Sequence, residues 1–404
     1  MKSNWEIVKA EDFCFTVTDG THDSPKAKEN GHYLITSKHL APYNIDFSTA
    51  KKISKEDYQK VIKRSPVEQW DILFSMIGTI GITYLEKNTD IYYACKNMGI
   101  FKFNGDKDKA YWLYYYLHTP QAKEYILGHL RGTTQQYLPL GSLRDFPIQV
   151  PAAEIRNNIT SILRSLDDRI AVNTAINENL EQQIQAILLN MIQQDSKKDS
   201  IETVKLGEYL YIKGRIGWKG LKKDEYLDSS DYRIINGESL TKDGIDWNKA
   251  GFISKERYDE SPEIMLQVGD ILLSKDGTIG KIGYVDNLDS PSTVASGIFV
   301  IRNIKPNIIS TQFIYYLLKS KLFSAFIASR TEGSVIPHLY QKDFMEFAFP
   351  LPNADEMSQF DALTSPLFAT IIKNLRENEF LTATRDALLP KLMSGEIDVS
   401  AVKI

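Results

Sequence analysis

Residues 213–223, KGRIGWKGLKK, carry Lys213, Arg215, Lys219, Lys222 and Lys223 with no acidic side chain, and Trp218 sits among them. Three glycines in that run let the backbone come close to a partner. Cations so placed suit phosphate oxygens; a solvated basic hairpin is the alternative. Residues 51–64 hold six basic and two acidic groups, for which an exposed helix face is the stronger reading. Thr18, Gly20, Thr21 and His22 lie in a turn-rich polar stretch. Arg131, Thr133, Thr134, Gln135 and Gln136 form a second one, and Arg330, Thr331 and Ser334, with His338 beyond, occupy the matching place later in the chain. Arg, Gln, Asn, Ser and Thr are the side chains that read base edges in a major groove, although ordinary surface loops share that composition.

These stretches are positioned by a frame that occurs twice. DILFSMIGTIG at 71–81 returns as DILLSKDGTIG at 270–280, an offset of 199 residues. Ile53-Ser54-Lys55-Glu56 returns as Ile253-Ser254-Lys255-Glu256, Tyr115-Tyr116-Leu117 as Tyr315-Tyr316-Leu317, and Asp145-Phe146 as Asp343-Phe344. Val8-Lys9, Pro151, Ala186 and Leu188 have counterparts in the same order, so the chain is two copies of one unit of about 200 residues. Each DIL phrase predicts a strand, a glycine-bearing turn and a second strand. Ser75 and Thr79, and then Ser274, Lys275 and Thr278, lie on these turns as further candidate contacts; plain hairpin turns are the alternative. Met76-Ile77 against Lys275-Asp276 marks where the turn differs between copies.

Short strand-like runs are predicted at 33–36, 72–75, 80–85 and 100–103, a helix over 110–129, and a proline-closed strand at 145–151. From 154 to 194 there is no glycine or proline, and apolar residues recur in steps of three and four. That pattern predicts an amphipathic helix about 60 Å long. A stripe of that length needs a partner helix, supplied by a second one over 355–392 that Pro366 and Pro390 would interrupt or end. The heptads Leu166, Asn173, Leu180, Ile187 and Leu367, Asn374, Leu381, Leu388 place an asparagine at the same seam position in both copies. Such a residue sets register. Two helices each packed on its own domain is the alternative. The polar run 195–200 reads as a linker, and Gly395 as a helix stop.

At 404 residues, 43% hydrophobic and 25% charged, the composition is that of a soluble globular protein. No run approaches a membrane span, and the N-terminus has no apolar secretory core. Cys14 and Cys95 read as free thiols in a reducing cytoplasm. Two cysteines and six histidines give no zinc-ligand spacing. A net charge of −4 and a pI near 6.0 argue against a free-standing nucleic-acid binder, unless positive charge is local or partners supply it. A phosphate-binding glycine loop, a dinucleotide fingerprint, a G-x-S-x-G elbow and an Asn/Asp-Pro-Pro-aromatic tetrapeptide are all missing. Their absence lowers the expectation that this chain is an enzyme.

The order of globular unit, D-I-L-x-S-x-x-G-T-I-G hairpin, F-P-I-x-V-P strand and long helix, repeated and ending in ALLPKLMSG at 387–395, resembles the specificity subunit of type I restriction–modification systems. The likeness covers the whole chain. Thr18 to His22 and the ITSK phrase at 35–38, with Ser37 and Lys38, also resemble phrases of target recognition domains. The resemblance implies an α+β fold: two similar α/β target recognition domains joined by two long helices in an antiparallel coiled coil, as a pseudo-twofold internal repeat. The segments would be 1–152, a first recognition domain; 153–195, a central spacer helix; 196–352, a second recognition domain; and 353–404, a distal spacer helix and tail. Each domain would read one half of a bipartite, asymmetric site on double-stranded DNA. The helices would set the spacing and dock two methyltransferase (modification) subunits that bind S-adenosylmethionine. Restriction/translocase subunits would use ATP and Mg, and this chain would hold no cofactor. A methylation-only assembly is the nearest alternative. An interaction scaffold unrelated to DNA and a self-contained methyltransferase are more distant; the basic loop argues against the first, and the missing motifs against the second.

Overall fold

The two DIL strands, Ile72–Ser75 and Ile271–Ser274, are buried at every residue. In the computed structural model, Ile72 and Phe74 face one apolar cluster and Leu73 faces another. Ile271 and Leu273 likewise face away from Leu272. A strand covered on both faces reads as a continuous apolar run and not as an alternation, which is the DILF and DILL pattern. The structure describes residues 5–41, 44–195, 203–215, 220–241, 244–331 and 338–400.

The chain forms two compact units, Met1–Val172 with Glu377–Ile404, and Asn173–Arg376. In unit 1 a four-stranded antiparallel sheet runs Thr16–Asp19, Met98–Lys102, Ile72–Ser75, Thr83–Leu85. A three-stranded sheet places His32–Ile35 between Lys51–Ile53 and, in parallel, Tyr93–Cys95. Glu6–Lys9 pairs with Pro147–Val150. Unit 2 repeats each pairing: Leu210–Gly214, Ile298–Asn303, Ile271–Ser274, Ile282–Tyr284; then Gly251–Ile253, Tyr232–Ile235, Ser292–Val294; then Thr203–Lys205 with Ala348–Pro350.

Each DIL strand is entered through a buried aspartate, and both aspartates meet a cation from the neighbouring strand. Lys102 Nζ lies 2.7 Å from Asp71 Oδ2, and Arg302 Nε lies 2.7 Å from Asp270 Oδ1. The same carboxylates accept the backbone N–H of Glu68 and of Gln267, closing the turn ahead of the strand. Asp71 Oδ1 has no hydrogen-bond partner among the described residues. Burial pushes the Asp71 carboxyl up to about 6, against the pull of Lys102.

The long helices span Ala153–Asp195 and Ala354–Met393 and pack on each other. In unit 1 Tyr115 donates to Asp167 at 2.7 Å, Arg385 reaches the same carboxylate at 2.9 Å, and Arg169 grips Glu377 with two bonds of 2.9 and 3.0 Å. As the first helix advances from 167 to 169, the second retreats from 385 to 377, so they run antiparallel. In unit 2 Asn374 donates to Asn177 Oδ1 at 2.8 Å and Asn177 donates to the Ile371 carbonyl at 3.2 Å.

Three sequence expectations shift here. The buried line of the first helix is Ile159, Leu163, Asp167, Asn173, Asn177, Ile184, Leu188 and Ile192, while Leu166, Leu180 and Ile187 are half-buried and Ile176 is exposed. The helix must cover globular cores as well as a partner helix, and that turns the stripe off a strict heptad. The helix expected over 110–129 is two, Lys107–Tyr116 and Pro120–Gly128, because Thr119 caps a new N-terminus with Pro120 in its first turn. Pro366 does not interrupt the second long helix, and Thr370 Oγ1 bonds the Pro366 carbonyl at 2.8 Å. Gly395 does end it: at φ 70° it donates to Leu392 while Glu396 donates to Lys391, the double closure of a Schellman stop.

Lys102→Met should leave Asp71 buried without its cation and cost about 3–5 kcal/mol at neutral pH in urea unfolding. With a folded pKa near 6 against 3.8 unfolded, the neutral carboxyl favours the folded state below that window, and this contribution is lost as pH rises through about 6. Lys102 pulls that pKa down, so in the variant the carboxyl stays neutral to higher pH, and the variant's deficit should shrink at pH 5. A deficit that stays constant with pH would contradict the pairing.

Candidate nucleic-acid interface

The strand ends decide which loops meet. In unit 1 Asp19 lies opposite Gly99, and Ser75 opposite Met98. The chain leaving Asp19, the chain entering Met98 and the turn after Ser75 therefore emerge at one end of the four-stranded sheet. The three-stranded sheet joins the same edge, since Lys96 donates to the Ile35 carbonyl and Thr21 to that of Cys95, both at 2.9 Å. Residues 131–137 are stitched on through Leu138 N to Met76 O, 2.9 Å, and an Ile77–Tyr137 bridge. Sequence segments up to 120 residues apart, around 18–22, 36–38, 76–81, 96–97 and 131–137, thus share one edge.

Their side chains divide into supports and exposed groups. Ser75 is fully buried. Its hydroxyl donates to the Thr79 carbonyl at 2.7 Å and accepts from Ile82 N at 2.7 Å, bracing the turn from inside. Ser274 does the same with Thr278 O and Lys281 N, at 2.7 and 2.8 Å. Neither hydroxyl is free for a ligand, which corrects the expectation that they make contacts. Gly78 and Gly81, at φ 78° and 92°, give the turn its left-handed corners and hold Thr79 out in solvent. A Cβ on Gly20 would lie 2.3 Å from the Cys95 carbonyl, so Gly20 is a packing residue. Thr21 is buried and accepts from Asp23 N, Thr18 is half-buried, and Ser37 is buried. His22, Lys38, Arg131, Thr133, Thr134, Gln135 and Gln136 are exposed, the last five on a hairpin closed by reciprocal Arg131–Tyr137 bonds of 2.9 Å.

Three residues join them, of which composition singles out only Arg64, as the end of the basic run 51–64. The buried Asp19 carboxylate meets Arg64 at 2.7 Å and His22 Nε2 at 2.9 Å, and His22 Nδ1 lies 2.9 Å from Asn97 Oδ1. Lys96 Nζ reaches Ser24. The signal available was divergence inside the repeat: Lys96-Asn97 stands where the second copy has Ala295-Ser296-Gly297.

Unit 2 gathers its loops by the same route. Leu339 N donates to Lys275 O at 2.9 Å, and Asp276 bridges His338. Lys213 and Thr278 are exposed there. Lys275 Nζ lies 2.9 Å from Asp276 Oδ2, and His338 Nδ1 bonds the other oxygen of that carboxylate. Burial works against ionising Asp276, but the bonds from Lys275 and His338 outweigh it and hold the carboxyl below its usual range. Arg330 is exposed near the end of the helix Lys321–Thr331, its guanidinium over Phe326. Arg215 departs from expectation. It is buried, donating to Val294 O at 3.1 Å with Ser261 and Thr293 within 3.4 Å, so it ties strands together and is not available to a phosphate. Trp218, Lys219 and Ser334 lie outside the described residues, as does the Thr331 side chain.

The profile of the family described as type I restriction modification DNA specificity domain matches residues 2–182 and again 198–378. The chain belongs to that family. It is a DNA specificity subunit of type I restriction–modification systems, with two DNA-recognition domains and no catalytic role of its own. It is 26% identical to the MjaIX specificity subunit of Methanocaldococcus jannaschii, over 98% of this chain and 94% of that one. It is 22% identical to the HindI specificity subunit of Haemophilus influenzae, over 83% and 88%. The crystal structure of an S subunit from M. genitalium aligns over 96% of both chains with a TM-score of 0.55 at 17% identity, which supports the fold. Among the described residues, no helix is long and apolar enough to cross a membrane, and no group of His, Cys, Asp or Glu could hold a metal ion.

Removing the turn brace should separate support from contact. Ser274→Ala should cost about 1–3 kcal/mol in unfolding, for a part-buried carbonyl and N–H that lose their shared hydroxyl partner. Thr278→Ala, on the exposed crest, should stay within about 0.5 kcal/mol. Equal costs for the two variants would contradict the assignment.

Proposed function

We propose that each recognition domain reads one half of a bipartite, asymmetric site on double-stranded DNA through the sheet edge described above. One observation carries this. Both units build the same edge from the same frame, yet the groups presented on it differ, with Lys96-Asn97 against Ala295-Ser296-Gly297 and Met76-Ile77 against Lys275-Asp276. A shared scaffold with divergent tips is what two readers of different sequences require, because base edges are distinguished by donor and acceptor pattern while the docking frame is not. Arg131 and Gln135-Gln136 in unit 1, and Lys213 and Thr278 in unit 2, are the exposed groups best suited to that contact.

In this reading, residues 1–152 and 196–352 are the recognition domains, and the helices 153–195 and 353–404 set the half-site spacing and dock two methyltransferase subunits. S-adenosylmethionine belongs to those partners, and ATP and Mg to restriction/translocase subunits where present. The reading places the complex in the cytoplasm. The acidic net charge of this chain is then balanced by the partners that help enclose the DNA.

The test is binding by the complex assembled with its modification subunits, using sites mapped by adenine methylation, single-base changes and several salt concentrations. Gln135→Ala with Gln136→Ala should lower discrimination at one base of the first half-site by about 1–3 kcal/mol and barely move the salt dependence. Lys213→Ala should lower the log–log salt slope by about 0.9 and leave the first half-site preference intact. Asn173→Leu should leave both half-sites readable while altering tolerance to spacer length. If Lys213→Ala changes base preference in the first half-site, the domains do not read independently and the proposal fails.

A further inference from the structure

The two recognition domains carry opposite charge on equivalent ground. Residues 22–64 hold nine Lys and Arg against five Asp and Glu, a net +4, while residues 221–263 hold seven against eleven, a net −4. The backbone frame is shared: Lys28 N donates to Lys52 O as Leu227 N donates to Phe252 O, each at 2.9 Å.

The difference is concentrated beside the reading edge. In unit 1 the helix Lys55–Arg64 ends at that edge, its last residue held to Asp19 at 2.7 Å. Lys55, Lys60 and Lys63 stand exposed on it, and none has a carboxylate within ion-pair distance among the described residues. Lys26 and Lys28, exposed and equally unpaired, lie on the segment that leaves His22 and runs beside Lys52. In unit 2 the matching helix stops at Asp259, five residues long against ten. Its cations are neutralised, Lys255 by Asp259 and Arg257 by Glu225 at 3.0 Å and by Glu260. Ahead of it Lys249 is held by Asp246 at 2.9 Å, while Lys222 and Lys223 stand exposed with no carboxylate within ion-pair distance among the described residues.

We propose that Lys26, Lys28, Lys55, Lys60 and Lys63 form a phosphate-binding surface for duplex DNA flanking the half-site read by unit 1, and that the matching helix of unit 2, among the described residues, offers no such row of unpaired cations. This rests on the DNA-reading role proposed above. Unpaired lysines keep their field, and each one that meets a phosphate releases condensed counterions. Lysine, a point charge on a flexible stem, suits the sequence-independent backbone better than it suits a base edge. An acidic protein partner is the weaker fit. The helix exposes no large apolar side chain, so it lacks the anchor on which protein interfaces concentrate their energy. Unit 1 thus gains from this helix and segment a backbone grip that the matching helix of unit 2 does not add.

The experiment uses the complex with its modification subunits and two kinds of probe. One is a mixed-sequence duplex; the other is a mapped site extended by about one helical turn, roughly 10 base pairs, beyond one half or the other. Lys60→Gln with Lys63→Gln, and Lys26→Gln with Lys28→Gln, should each lower the salt slope on the mixed duplex by up to nearly 2, at about 0.9 per phosphate contact. Lys255→Gln, the control in unit 2, should leave it unchanged. Extension beyond the first half-site should tighten wild-type binding, extension beyond the second should not, and the lysine variants should lose the gain. Melting temperatures and mapped base preference should stay as in the wild type. Unchanged slopes in both double variants overturn the proposal, as does an equal gain on both flanks. A loss of complex assembly with unchanged slopes assigns the patch to a protein and also overturns it. If the wild-type complex shows no base preference at all, the reading of half-sites fails, while the slopes on the mixed duplex still decide the lysine surface.

Discussion

Burial of the DIL strands on both faces is the constraint on which the other features depend. With apolar clusters above and below Ile72–Ser75 and Ile271–Ser274, neither sheet has a face left for a ligand. Only the strand ends remain, and there the antiparallel register brings every loop of one end together. The same burial demands that polar groups entering the sheet be satisfied inside it. Asp71 with Lys102, Asp270 with Arg302, and the Ser75 and Ser274 hydroxyls meet that demand in both units. These are also the residues that the two copies share most closely. What is held constant is the support of the edge; what diverges is what the edge presents.

The helix pair follows a related logic. A long apolar stripe cannot stay in water, yet its deepest residues serve the globular cores as much as the partner helix. Ile159 and Leu163 belong to the unit 1 core with Leu389 and Leu392, and Ile184 and Leu188 to the unit 2 core with Met357 and Phe360. The polar members differ between units. Unit 1 buries the Tyr115–Asp167–Arg385 group, and unit 2 the Asn177–Asn374 amides, with a half-buried Lys319–Glu181 pair as well. Such unlike polar contacts disfavour exchange of one helix end for the other, because a mismatched pairing would leave a charge buried without its partner.

Much was legible in the sequence because repetition and periodicity are one-dimensional signals. The duplication, both DIL hairpins, the long helices, the glycine stop at Gly395 and the family resemblance could all be read from residue order, and the candidate loops included 131–136 in unit 1. Sequence alone could not separate supporting residues from presenting ones. Ser75, Ser274, Gly20 and Arg215 have the composition of contact residues, but burial and their own hydrogen bonds place them inside the frame. Side-chain type does not encode which way a strand end faces. Asn97 and Lys96 escaped notice for the converse reason: they are ordinary surface residues until the register sets Asp19 opposite Gly99 and draws them to one edge. The sequence by itself determined that there are two units, what each strand and helix is, and where charge accumulates. Tertiary structure alone decided which loops share an edge, which cations remain unpaired, and which heptad positions are buried, since all three depend on contacts between residues tens to hundreds of positions apart.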